Sequence, residues 1–260
     1  MSGVLTRVDG QPASGVEAIA LRPSRRLPWV VAAAAAASWA LLVAAQATGS
    51  RLLDHDATFE GGQVGPAGLG LFFIGWQVMV AATMLPVSFP AIRRVAANTS
   101  RGAGMAFFLA GFGAVWTAFA WAALSLDSVV HGAVEQHSWL AARPYLVGTG
   151  LLVVVGLWQF APLKGRCLAA CRGWAPGPRA GLARSRPFAD GARYGQLCLA
   201  CDGGVMLLMF AVGGGVAWMA ILGLVMALER TTRLKGVAHR WIGAALLASA
   251  AAALLVGSAL

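Results

Sequence analysis

Four cysteines, all between positions 167 and 201, are the residues whose type and spacing point most directly to chemistry. Cys167 and Cys171 stand four apart in Leu163-Lys164-Gly165-Arg166-Cys167-Leu168-Ala169-Ala170-Cys171-Arg172. Cys198 and Cys201 stand three apart in Cys198-Leu199-Ala200-Cys201-Asp202. On a helix each pair occupies one face. Cys198, Cys201, Asp202 and Met209 also share a stripe at helical spacing, with Met206 at its border. Two facing thiol pairs suit a soft metal, either Cu(I) or, when four thiolates close a tetrahedron, Zn(II). Nearby arginines favour the thiolate, whereas Asp202 beside Cys201 works against it. Two other readings remain open. Cys198 and Cys201 form a CxxC pair that suits thiol–disulfide exchange, with Cys167 and Cys171 as a relay. Alternatively, all four pack as small hydrophobes in a structural subunit.

Other candidate ligands are sparser. Met79 and Met84 precede Pro86, where a missing backbone donor can kink a helix and turn a thioether inward. A second cluster holds His55, within Asp54-His55-Asp56, and His131, Glu135 and His137. These residues fall in stretches expected on the outer side, where they could receive a hydrated ion. His239 reads as interfacial. There is no phosphate-cradling loop, no nucleophile elbow and no HExxH. No charged residue is expected deep in a span, which argues against an ion-coupled pump.

The elements that must position these groups are membrane helices. Of 260 residues, 58% are hydrophobic and 12% charged, and the mean hydropathy is +0.71. Soluble domains average about 25% charged residues. Apolar runs long enough for a bilayer core of ~30 Å lie at about 28–48, 69–91, 105–126, 142–163, 205–228 and 238–260. The fold class is therefore all-α, a polytopic transmembrane bundle of about six helices. It comprises a polar tail at 1–26 and a helical domain at 27–260. The bilayer is the main partner, and a net charge of +10 reads as topology and contact with anionic lipid rather than nucleic-acid binding.

Lys and Arg counts set the orientation. With the amino terminus inside, the inner segments hold fourteen basic residues and the outer ones six, which places both termini in the cytoplasm of a plasma-membrane protein. The basic stretch 229–240 conflicts with this by falling outside. A hairpin broken at Gly213-Gly214-Gly215 would bring it in and send the carboxyl terminus out. Six spans is the preferred arrangement. It puts the loop 164–193, and with it the thiols, at the cytoplasmic face.

Three stretches carry a resemblance: Trp76 with Met79-Val80-Ala81-Ala82-Thr83-Met84-Leu85-Pro86 and Pro90; Gly156-Leu157-Trp158-Gln159-Phe160-Ala161-Pro162-Leu163-Lys164 running into Cys167 and Cys171; and Tyr194-Gly195 through Cys198, Cys201 and Met206. From about residue 70 to 245 the chain resembles a prokaryotic family of predicted metal-binding integral membrane proteins, domain-of-unknown-function family 2182, some of whose members are labelled copper chaperones. Two positions depart from that pattern: a methionine pair is Thr83-Met84 here, and a cysteine after the CxxC is Asp202. The resemblance implies metal handling without a catalytic step. The expected Cu(I) ligands are Cys167, Cys171, Cys198 and Cys201, with Met84 and Met206 as auxiliaries, zinc as the other metal, and a soluble metal-binding protein as recipient.

Overall fold

In a computed structural model, residues 27–49, 65–98, 102–143, 145–177, 185–211, 215–230 and 237–257 are described, and their regular elements are all helices. In chain order these are α1 Leu27–Ala47, α2 Pro66–Asn98, α3 Gly102–Gln136, α4 Ser138–Ala141, α5 Tyr145–Trp158, α6 Pro162–Gly173, α7 Ser185–Ala211, α8 Val216–Arg230 and α9 Ala238–Gly257. Four of them, α1, α2, α3 and α9, are long and apolar enough to cross a bilayer. A fifth span results if α5 and α6 are taken as one chain bent by 70°. The bend falls where Pro162 opens α6, since proline suits a helix start and breaks a helix interior.

The prolines of α2 act differently. The helix runs through both Pro86 and Pro90. Pro86 has no N–H to offer the carbonyl four residues back, that of Ala82. Trp39 Nε1 of α1 donates to that carbonyl at 2.8 Å. The acceptor freed by one helix is thus satisfied by its neighbour, which fixes how α1 lies against α2.

The tightest packing joins α3 and α7, which run parallel. A Cβ on Gly191 would stand 2.0 Å from the Phe108 carbonyl oxygen, and one on Gly111 2.0 Å from that of Phe188. Only glycine permits this backbone approach. Similarly, α9 runs antiparallel to α5, with Gly243 against Gly156 and Gln159, and Gly257 against Tyr145.

The structure departs from the sequence reading at 205–228. α7 ends at Ala211 and α8 begins at Val216. Arg230, at the end of α8, pairs with Asp202 of α7, so the two helices are antiparallel. The start of α8 lies beside the end of α1, where Val216 N–H donates to Gln46 Oε1 at 2.7 Å. The expected single span is therefore a hairpin, the arrangement not preferred from sequence. It returns Arg230 to the end of the bundle that holds Arg94, Lys164 and Arg172, and it sends the last turn of α9 to the opposite end. Both relative placements reverse the six-span expectation.

Candidate metal centre

α6, α7 and α8 converge at the basic end of the bundle, and the thiols lie where they meet. Cys171 and Cys198 have their sulfurs 3.9 Å apart. Cys201 lies one turn further along α7 and within interaction range of Cys171. All three are buried and unoxidised. Cys167 is set one turn back along α6 and is half-buried. The pairing that forms is therefore between helices, Cys171 with Cys198, rather than within either sequence pair.

The spacing can be compared with a metal site. A three-coordinate thiolate site with bonds of about 2.3 Å has sulfur–sulfur edges of ~4.0 Å. The Cys171–Cys198 separation fits that edge, and Cys201 lies within interaction range of Cys171. Among the described residues, no group of three or more His, Cys, Asp or Glu side chains is already arranged as a metal site. The thiols form an open pair with a neighbour, not a closed cage.

Paired charged groups surround them. Lys164 Nζ lies 2.7 Å from Glu229 Oε2, with both side chains fully buried, and it also donates to the Cys201 carbonyl. Arg230 pairs with Asp202 through Nη2, and its Nε donates to the same oxygen at 3.1 Å. Its Nη1 donates to Tyr194 Oη at 3.1 Å. Asp202 Oδ1 has no hydrogen-bond partner among the described residues. Burial in the bundle, rather than depth in a span, is what the sequence reading did not anticipate for these charges. Two cations and two anions are enclosed beside the thiols, neutral as a set, and tolerable there only because each is paired.

Outer layers hold this set in place. Tyr194 stacks on Phe112 and lies tilted against Trp174, with centroids 5.9 and 5.0 Å apart. Arg94 of α2 donates to the carbonyls of Arg172 and Trp174 at 3.0 and 2.6 Å, capping the end of α6.

Met84 and Met206 are both fully buried. Met206 Sδ lies 4.0 Å from Thr83 Oγ1, so the helices carrying the two methionines touch. Along α7, however, Met206 is five residues beyond Cys201, about 7 Å at 1.5 Å per residue. The thioethers thus form a layer beyond the thiols. Among the described residues the histidine cluster does not assemble. His131 Nδ1 lies 3.4 Å from Asp127, one turn back, and His137 Nδ1 meets the Ala133 carbonyl at 2.9 Å. Both interactions are local and exposed. His55 lies outside the described residues.

Lys164, Glu229, Arg230 and Tyr194 were missed as members of the site. The available signal was Glu229-Arg230 closing an apolar run after three glycines, at a distance that returns it to Asp202 once the chain folds back.

The described residues thus form an all-helical bundle with helices long and apolar enough to cross a membrane and a buried thiol set flanked by ion pairs. The chain belongs to the PpoB2 family, described as copper chaperone, whose family model matches residues 73–253. No curated protein and no solved structure gives a significant match.

Proposed function

We propose that this protein binds Cu(I) between Cys171, Cys198 and Cys201 and hands it to a soluble metal-binding partner at the cytoplasmic face of the plasma membrane, with no catalytic step. The observation that carries this reading is the buried Cys171–Cys198 sulfur pair at 3.9 Å. The family's copper label supports the choice of metal. So does the donor set: three thiolates are soft, and zinc sites ordinarily take four ligands. Cys167, half-buried on the same helix, is the thiol that a partner reaches first.

The sidedness follows from charge. Among the described residues, Arg93, Arg94, Lys164, Arg166, Arg172, Arg186, Arg193, Arg230 and Arg240 lie toward the thiol end of their helices, and Arg143 lies at the other. The positive-inside rule assigns the thiol end to the cytoplasm.

The test is anaerobic Cu(I) titration of purified, reduced protein against a chromophoric Cu(I) chelator. Wild type should hold a single tightly bound ion, and Cys198→Ser should lose at least ~100-fold in affinity, the equivalent of ~2.7 kcal/mol. Retention of wild-type affinity by Cys198→Ser would contradict the site. The redox reading is favoured instead if mild oxidant joins Cys171 to Cys198 reversibly while Cu(I) does not bind.

A further inference from the structure

Beyond the thiol site, the core of this bundle has an uneven composition. Every methionine among the described residues is buried, and none stands among the exposed large hydrophobics, which are Leu, Val, Ile, Phe and Trp. Six of these methionines belong to only three helices: Met79 and Met84 on α2, Met206 and Met209 on α7, and Met219 and Met226 on α8.

The packing of those helices fixes their levels. Asp202 and Arg230 pair across α7 and α8. Four residues on from Asp202 is Met206, and four residues back from Arg230 is Met226, so these two are level. Thr83 of α2 touches Met206 Sδ at 4.0 Å, and Met84 follows Thr83. One layer therefore takes Met84, Met206 and Met226. Thr83 also lies 3.7 Å from the Cβ position of Gly223 on α8. Four residues back from Thr83 is Met79, and four back from Gly223 is Met219. With Met209, one turn beyond Met206, these form a second layer. Each layer draws one thioether from each helix, and successive levels are about 5–10 Å apart at 1.5 Å per residue.

From Cys198 to the level of Met219 the series covers roughly 22 Å of helix axis, against a bilayer core of ~30 Å. Thioethers bind Cu(I) as neutral soft ligands, and methionine's three rotatable bonds let a sulfur swing between neighbours. Asp202 neutralises Arg230 where the thiol level meets the first thioether layer, so a monovalent cation passing there meets no net repulsion.

We propose that the six methionines form a relay along which Cu(I) moves by ligand exchange between the thiol site and the opposite end of the bundle, making the protein a Cu(I) conductor across the membrane as well as a binder. The ion keeps its oxidation state throughout. Each exchange forms one Cu–S bond as another breaks and needs no electron; exchange among the thioethers needs no proton, and the thiols, which lose protons when they take up the ion, regain them when it leaves. The relay shares the choice of cargo with the thiol reading.

The experiment uses the full chain in liposomes with bathocuproine disulfonate trapped inside and buffered Cu(I) supplied outside. Wild type should colour the lumen well above protein-free liposomes. Met206→Leu, Met226→Leu and Met219→Leu conserve volume, and each should slow that flux about tenfold, the effect of raising one barrier by ~1.4 kcal/mol. Cu(I) affinity of the same variants in detergent should be unchanged. Met105→Leu, a buried methionine on α3 outside both layers, should leave the flux at the wild-type value. Wild-type flux no greater than that of protein-free liposomes, in protein that binds Cu(I) in detergent, would overturn the relay and leave the thiol site standing. Wild-type flux in all three layer variants would overturn it equally. Loss of binding in detergent by wild type would instead overturn the thiol site.

Discussion

Both ends of the bundle hold ligand-type residues, thiols at one and imidazoles at the other, and do opposite things with them. At the basic end, side chains from α6, α7 and α8 turn toward one another. Cys171 meets Cys198, Lys164 meets Glu229, and Arg230 meets both Asp202 and Tyr194. At the other end, His131 and His137 are each engaged within their own turn of chain and exposed. Convergence of three helices accounts for the difference, because enclosed groups must find partners whereas exposed ones can be satisfied by water.

The contrast breaks most readily at the ion pairs. Removing one partner of a buried pair leaves an uncompensated charge, at a cost on the order of 3–5 kcal/mol. Lys164→Met and Glu229→Gln should each lower the denaturation midpoint of the detergent-solubilised protein sharply, and Lys164→Met/Glu229→Leu together should recover most of the loss. Single variants as stable as wild type would mean that the two side chains are not enclosed in the membrane-embedded protein. The same contrast predicts almost nothing at the far end. His131→Ala and His137→Ala should change stability by less than about 0.5 kcal/mol and leave Cu(I) affinity untouched. A drop in affinity measured by chelator competition would show that this end takes part after all.

Much of the fold was legible in the sequence because lipid imposes a coarse rule. A run such as 28–48 or 238–260 must be helical and must be long, and both appear close to those bounds as α1 and α9. The same rule failed at 205–228, where hydropathy averages over Gly213-Gly214-Gly215 and cannot tell one helix from two. The basic stretch 229–240 was the clue, since it sat on the wrong side of the six-span arrangement. The cysteines were legible as candidates, but their pairing was not. Spacing of three or four relates residues on one helix, whereas the contact that forms depends on how α6 turns by 70° after α5. From sequence, Lys164 reads as a loop cation. Its burial becomes visible only once Glu229 is brought back by the hairpin.

The central claim is that Cys171, Cys198 and Cys201 act as one soft-metal site while Cys167 stands outside it. Thiol-by-thiol alkylation, read by mass spectrometry of the reduced protein with and without stoichiometric Cu(I), tests it most directly. The account predicts that Cu(I) slows modification of Cys171, Cys198 and Cys201 together and leaves Cys167 reacting at its apoprotein rate. Equal rates at all four thiols with and without Cu(I) would contradict it.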